Sequence, residues 1–118
     1  MTHFSVVIVD DHTLLSQAIQ GMVDTFEKFT VLYTCKNGQE LEEKFSNSQK
    51  HIPDVVLMDI NMPIMNGIET TAWISKTHPN VNVMALSVED DDITVLKMLK
   101  AGAIGYLLKD TEKAILEK

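Results

Sequence analysis

Asp10 with Asp11, Asp59 and Lys109 share one local setting, because each directly follows a short, mostly apolar run: Ser5-Val6-Val7-Ile8-Val9, Val55-Val56-Leu57-Met58 and Gly105-Tyr106-Leu107-Leu108. If those runs end side by side, three carboxylates meet a lysine. Two unit charges about 4 Å apart repel by roughly 4 kcal/mol at an effective dielectric of about 20, so the acidic group calls for a cation. A hard divalent ion with oxygen ligands, Mg²⁺ above all, suits Asp10, Asp11 and Asp59 and leaves a position for a phosphoryl oxygen. A central carboxylate, a metal held by its neighbours, a fixed lysine and a hydroxyl together suit phosphoryl transfer to an aspartate nucleophile. Asp59 is the central candidate, and Ser87 supplies the hydroxyl.

The elements that must position these residues are legible in the spacing. Apolar runs rich in β-branched residues read as buried parallel strands, and an open parallel sheet keeps its functional crevice beyond the strands' carboxyl ends. After the first run, Leu14, Leu15, Ala18, Ile19, Met22, Val23 and Phe26 recur at helical spacing, which predicts an amphipathic helix over about 12–26. Phe29 to Cys35 reads as strand, Asn37-Gly38 punctuates the chain, and a weaker helical pattern runs through Leu41 and Phe45. Asn66 and Glu69 have capping-box spacing for a helix beginning near Gly67. Val81 to Leu86 is the fourth strand, ending at Ser87, and Val95, Met98 and Leu99 belong to a helix that Gly102 stops. Ala103 to Leu108 is the fifth strand, and a helix starting at Thr111 is cut short at Lys118.

Strands and helices alternating five times predict an α/β domain: a doubly wound, five-stranded parallel sheet with helices on both faces and right-handed crossovers. The order usual for this pattern, 2-1-3-4-5, sets Asp59 between the acidic pair and Ser87. The 118 residues suffice for one domain, and 45% hydrophobic with 23% charged residues is a globular balance. A net charge of −7 opposes direct binding to nucleic acid or anionic lipid by this segment. No apolar stretch approaches the roughly 20 residues that span a bilayer, so the expectation is a soluble cytoplasmic domain without membrane contact. Cys35, the single cysteine, excludes an intrachain disulfide and a thiolate cluster, and reads as a small buried hydrophobe.

Taken in order and spacing, Val6-Val7-Ile8-Val9-Asp10-Asp11, Asp59-Ile60-Asn61-Met62-Pro63-Ile64-Met65-Asn66-Gly67, Ser87, and Gly102-Ala103 with Gly105-Tyr106-Leu107-Leu108-Lys109 make the whole chain, 1–118, resemble a receiver domain of a two-component response regulator. The resemblance implies the flavodoxin-like receiver fold and a sensor histidine kinase as phosphoryl donor. It implies that Asp59 is the phosphoacceptor, that Asp11 binds Mg²⁺ directly with Asp10 assisting through water, and that Asn61 adds its backbone carbonyl. Lys109 would pair with the carboxylate and then with the phosphoryl oxygens. Ser87 would swing toward the phosphate, and Tyr106, the switch aromatic, would turn inward as it moves. The face around the fourth helix, fifth strand and fifth helix is the implied readout. Such a domain is a signalling module that catalyses only its own phosphorylation and dephosphorylation, not an enzyme acting on a separate substrate.

Gly105-Tyr106-Leu107-Leu108-Lys109-Asp110 is similar to the transcriptional subfamily whose receiver precedes a helix-turn-helix domain, so DNA would be reached only through an output domain that this chain does not hold. Homodimerisation on phosphorylation stays open. Many relatives place a cis proline after the lysine, whereas Asp110 stands here and predicts a trans bond. Ser87 replaces the common threonine, Val88 is bulkier than the frequent alanine, and Asn61 and Glu89 hold positions that tune phosphate lifetime in the family.

Each residue also has a plainer reading. His12 could see the metal but reads as an exposed loop histidine, and His3, His51 and His78 lack metal-ligand spacing. Asp90 to Asp92 reads as helix capping and dipole compensation. A hydrolase with an aspartyl nucleophile would share the carboxylates, yet such enzymes usually need a second carboxylate two residues on, where Asn61 sits. A pseudo-receiver serving only as an interaction domain is opposed by intact Asp11, Asp59 and Lys109.

Overall fold

The computed structural model describes residues 3–60, 62, 64–87 and 92–108. In chain order these form β1 (Phe4–Val9), α1 (Thr13–Val23), β2 (Phe29–Cys35), α2 (Gly38–Asn47), a 3-10 turn at Gln49–His51, β3 (Val55–Asp59), α3 (Gly67–Thr77), β4 (Asn82–Ser87), α4 (Asp92–Ala101) and β5 (Gly105–Leu108). All strand pairs are parallel, in the order β2-β1-β3-β4-β5. The expected topology is therefore present. The expected fifth helix lies outside the described residues.

Alternation along each strand divides the core between the two faces of the sheet. Val7 and Val9, Val56 and Met58, and Val83 and Ala85 face a large cluster with Leu41, Phe45, Ile74 and Met98 from α2, α3 and α4. Val6, Ile8, Leu57 and Leu86 face the other side, where Val23 and the partly buried Ile19 of α1 cover them. Burial on both faces is why β1 and β3 read as continuous apolar runs rather than alternating ones. Between Val6 and Val7 the β1–β2 register shifts by one residue, leaving Leu32 as an extra residue whose side chain is exposed.

Local signals end the helices as the spacing predicts, with corrections at the edges. Asn66 accepts the Glu69 backbone N–H (2.9 Å) while the Glu69 carboxylate accepts that of Asn66 (3.1 Å), completing a capping box. Gly102, at φ 124°, closes α4: its N–H reaches Leu99 and that of Ala103 reaches Met98, the bond pair of a Schellman end. The first helix is shorter than the apolar spacing suggests. It stops at Val23, Leu14 is exposed, and Phe26 lies beyond the helix, edge-on to Phe29. Val23 is buried as the stripe expects, but Ser16 is buried where Leu14 is not, because helical spacing does not fix how an apolar stripe is rotated about the axis. The fifth strand begins at Gly105, two residues later than expected. Among the described residues, no helix is long and apolar enough to cross a membrane.

Candidate functional site

The carboxyl ends of β1 and β3 lie side by side, with Val9 opposite Met58 in register, so Asp59 and the residue after β1 share one edge of the sheet. Asp10 is held there by its own backbone, whose N–H donates to the Cys35 carbonyl at the end of β2 (2.9 Å). Its Oδ1 accepts the His12 backbone N–H (2.8 Å), which turns the chain into α1. Asp59 Oδ1 accepts the Ile60 N–H (2.8 Å), fixing that carboxylate. Both side chains are buried, Asp10 at 2% and Asp59 at 3% exposure, whereas Asp11 reaches solvent.

The turn after β3 fixes Asp59 from below. Gly67 donates its N–H to the Ile60 carbonyl (2.9 Å), and a Cβ on Gly67 would sit 2.1 Å from the Asp59 carbonyl oxygen. Only glycine lets α3 start this close to the carboxylate's backbone. In the same turn Ile64 holds φ 70°, a left-handed conformation that a β-branched residue rarely adopts.

One donor atom from each of Asp10, Asp11, His12 and Asp59 falls within 4.8 Å of the others. The set is compatible with a divalent cation: hard carboxylate oxygens converge from two strand ends, and two of the three acids are buried where a bound positive charge would be least screened. Sequence reasoning set His12 aside as a loop histidine. It is indeed exposed, but its Nδ1 lies 3.1 Å from Asp10 Oδ1 and 3.3 Å from Asp11 Oδ1. The available signal was its position, immediately after the acidic pair.

Of the other predicted residues, Ser87 ends β4, opposite Leu108 and one residue beyond Leu86, which pairs with Asp59. Its side chain lies outside the description. Tyr106 pairs with Ala85 and is about half exposed (49%), so its ring sits toward solvent in this structure. Asn61, Lys109 and the Lys109–Asp110 peptide lie outside the described residues, as do Val88 and Glu89. Cys35 is buried (2%), and burial together with the nearby Glu40 carboxylate pushes its thiol up to about 12.

Residues 6–118 match the model of the response regulator receiver domain. The chain is 39% identical over 107 residues to the transcriptional regulatory protein DegU of Brevibacillus brevis, covering 91% of this chain and 44% of that protein. It is 32% identical over 114 residues to the nitrate/nitrite response regulator NarL of Escherichia coli K12, covering 97% and 51%. It thus spans about half the length of these curated relatives. Among solved structures, the signal receiver domain of the response regulator NarL from Mycobacterium tuberculosis superposes with a TM-score of 0.82 at 31% identity, covering 99% of this chain and 96% of that one. With this fold, this strand-end acidic cluster and a family match over nearly its whole length, the chain belongs to the response regulator receiver domains.

Proposed function

We propose that this chain is a phosphorylation-dependent switch that takes a phosphoryl group from a sensor histidine kinase onto Asp59. The observation that carries the reading is the convergence of buried Asp59 with Asp10 and Asp11 at adjacent strand ends, within 4.8 Å. In the transfer, an Asp59 carboxylate oxygen bonds to phosphorus while the bond to the donor's leaving atom breaks, and that atom keeps the electron pair and takes up a proton. The Ile60 N–H holds the carboxylate in one plane for the attack. Bound beside Asp59 by Asp10, Asp11 and the Asn61 carbonyl, Mg²⁺ would neutralise the charge developing on the phosphoryl oxygens. Lys109 adds a fixed positive charge, and the Ser87 hydroxyl donates to the phosphate once it arrives.

The added group brings about −1.5 to −2 charge and three acceptor oxygens to the end of β4, where Ser87 moves inward and Tyr106 follows. Phosphate then biases a population between two arrangements of the end of β4 and of α4. Ile93, Leu96, Ile104 and Tyr106 stand exposed around α4 and β5, and their apolar surface supports that face as the readout. The output is transcriptional, carried by a DNA-binding domain outside this chain and working in the cytoplasm. DegU, at 39% identity, supports that assignment.

The test is Mg²⁺-dependent labelling by a small acyl phosphate, read as intact mass. Wild type gains one phosphoryl group, loses it slowly by hydrolysis, and gains none when the divalent ion is chelated. Asp59→Asn gains none. Equal labelling of wild type and Asp59→Asn, or of neither, would overturn the reading.

A further inference from the structure

The turn Asn37-Gly38 separates β2 from α2 and contributes no side chain to the acidic cluster. Gly38 opens α2, although glycine is the poorest helix former apart from proline. Left-handed geometry does not demand it, because its φ is not positive. Room does. A Cβ on Gly38 would overlap Thr70 Oγ1 and lie 3.0 Å from both the Cγ and the carbonyl oxygen of Met65. Met65 and Thr70 flank the start of α3, where the chain leaves Asp59.

This turn is tied to both halves of the site. At one end the Cys35 carbonyl accepts the Asp10 backbone N–H (2.9 Å), and at the other the Gly38 N–H donates to the Met65 carbonyl (3.0 Å). Between them the buried Asn37 caps α2 by accepting the Glu40 N–H (3.0 Å), while the Glu40 carboxylate accepts the Lys36 N–H (3.0 Å). From Met65 the path back to Asp59 is short. The Asn66 carbonyl accepts both the N–H (3.0 Å) and the Oγ1 hydroxyl (2.7 Å) of Thr70, and Gly67 donates to the carbonyl of Ile60, next to Asp59. A shift of Met65 or Thr70 is therefore passed to the backbone that holds Asp59.

We infer that Gly38 is a positioning residue for phosphoryl transfer: by admitting Thr70 and Met65 into contact with the β2–α2 turn, it fixes the spacing of Asp59 from Asp10. This rests on the proposed transfer to Asp59, and Gly38 has no side chain to offer the phosphate. A methyl group at Gly38 pushes Met65 and Thr70 away from the turn that holds Asp10, so the two carboxylates separate. Misplacement by about 1 Å, remote from the chemistry, slows a reaction by up to about 100-fold.

The experiment measures the rate at which acetyl phosphate with Mg²⁺ labels the domain, read as intact mass. Gly38→Ala labels at least roughly tenfold more slowly than wild type, whereas Val23→Ala, which loosens the core on the other face of the sheet, stays within about twofold. In a Thr70→Ala background, which removes the crowded hydroxyl, adding Gly38→Ala costs no more than about threefold. Thr70→Val sets a larger methyl group against Gly38, presses on the same contact more gently and labels severalfold more slowly, so the test does not depend on Gly38→Ala folding. The Ile60 amide, bonded to Asp59 Oδ1, reports the carboxylate without any transfer: its nuclear magnetic resonance signal moves in Gly38→Ala or Thr70→Val and not in Val23→Ala. Unchanged labelling or an unmoved Ile60 signal in both turn variants overturns the role of Gly38, as does equal slowing by Val23→Ala. A double variant as slow as Gly38→Ala alone also overturns it. Those results leave the transfer standing, whereas a wild type that takes no phosphate removes the transfer itself and the role of Gly38 with it.

Discussion

Cys35 and Tyr33 show what a single buried group does to the pH response of the fold. Burial is the main cause in both: it raises the Cys35 thiol to about 12 and moves the Tyr33 hydroxyl up as well, with Cys35 adding to the latter. Tyr33 also donates to the His51 carbonyl (2.5 Å), which favours the protonated phenol. A raised folded pKa means that above pH 9 the unfolded chain loses a proton that the folded chain keeps. Stability is then full below about pH 9 and falls as pH rises toward 12, by at most about 1.4 kcal/mol per pH unit for one group. Thermal melts at pH 8 to 11 should show this decline, and Cys35→Ala should flatten part of it. The native thiol should also resist alkylation at pH 8 and react once urea unfolds the chain. That Cys35 is buried was readable from its type and its strand. The shift was not, because it depends on how deeply the fold buries the thiol and, after that, on Glu40, brought near by the start of α2.

At the scale of elements, β1, β3 and β4 announced themselves because strands buried on both faces must be apolar at nearly every position. The capping box of α3 was equally legible, since its partners lie three residues apart. The rotation of α1 was not, as Leu14 shows: a helical stripe has a period but no marker for the direction of the sheet. Gly67 is another case, because its neighbour Asp59 is distant in sequence from the helix start it serves. Gly67→Ala puts a methyl group 2.1 Å from the Asp59 carbonyl oxygen, so the start of α3 must move. Urea denaturation should show a loss of about 3 kcal/mol, with the carboxylate displaced along with the turn. Asn66→Ala removes one arm of the box and should lose only about 1 kcal/mol. If the two substitutions cost the same, the close approach at Gly67 is not what holds this turn.

For the whole molecule, the site exists only because the topology folds β1 and β3 into neighbours. Asp10 and Asp11 are far from Asp59 along the chain, and no local structure joins them. The 2-1-3-4-5 order was legible as the usual order for this alternating strand–helix pattern, and it sets Asp59 between the acidic pair and Ser87. The structure orders β1, β3 and β4 as that reading needs. His12 escaped it, because only the path of the chain into α1 turns its ring toward the acids. The most direct measurement follows from this dependence on the fold. The domain is labelled with an acyl phosphate and Mg²⁺, the product is reduced with borohydride so that an aspartyl phosphate becomes homoserine, and the residue is located by peptide mass. The expected result is homoserine at position 59 alone, and none when the chain is unfolded in urea during labelling. Homoserine at position 10 or 11, or equal labelling of the unfolded chain, would contradict it.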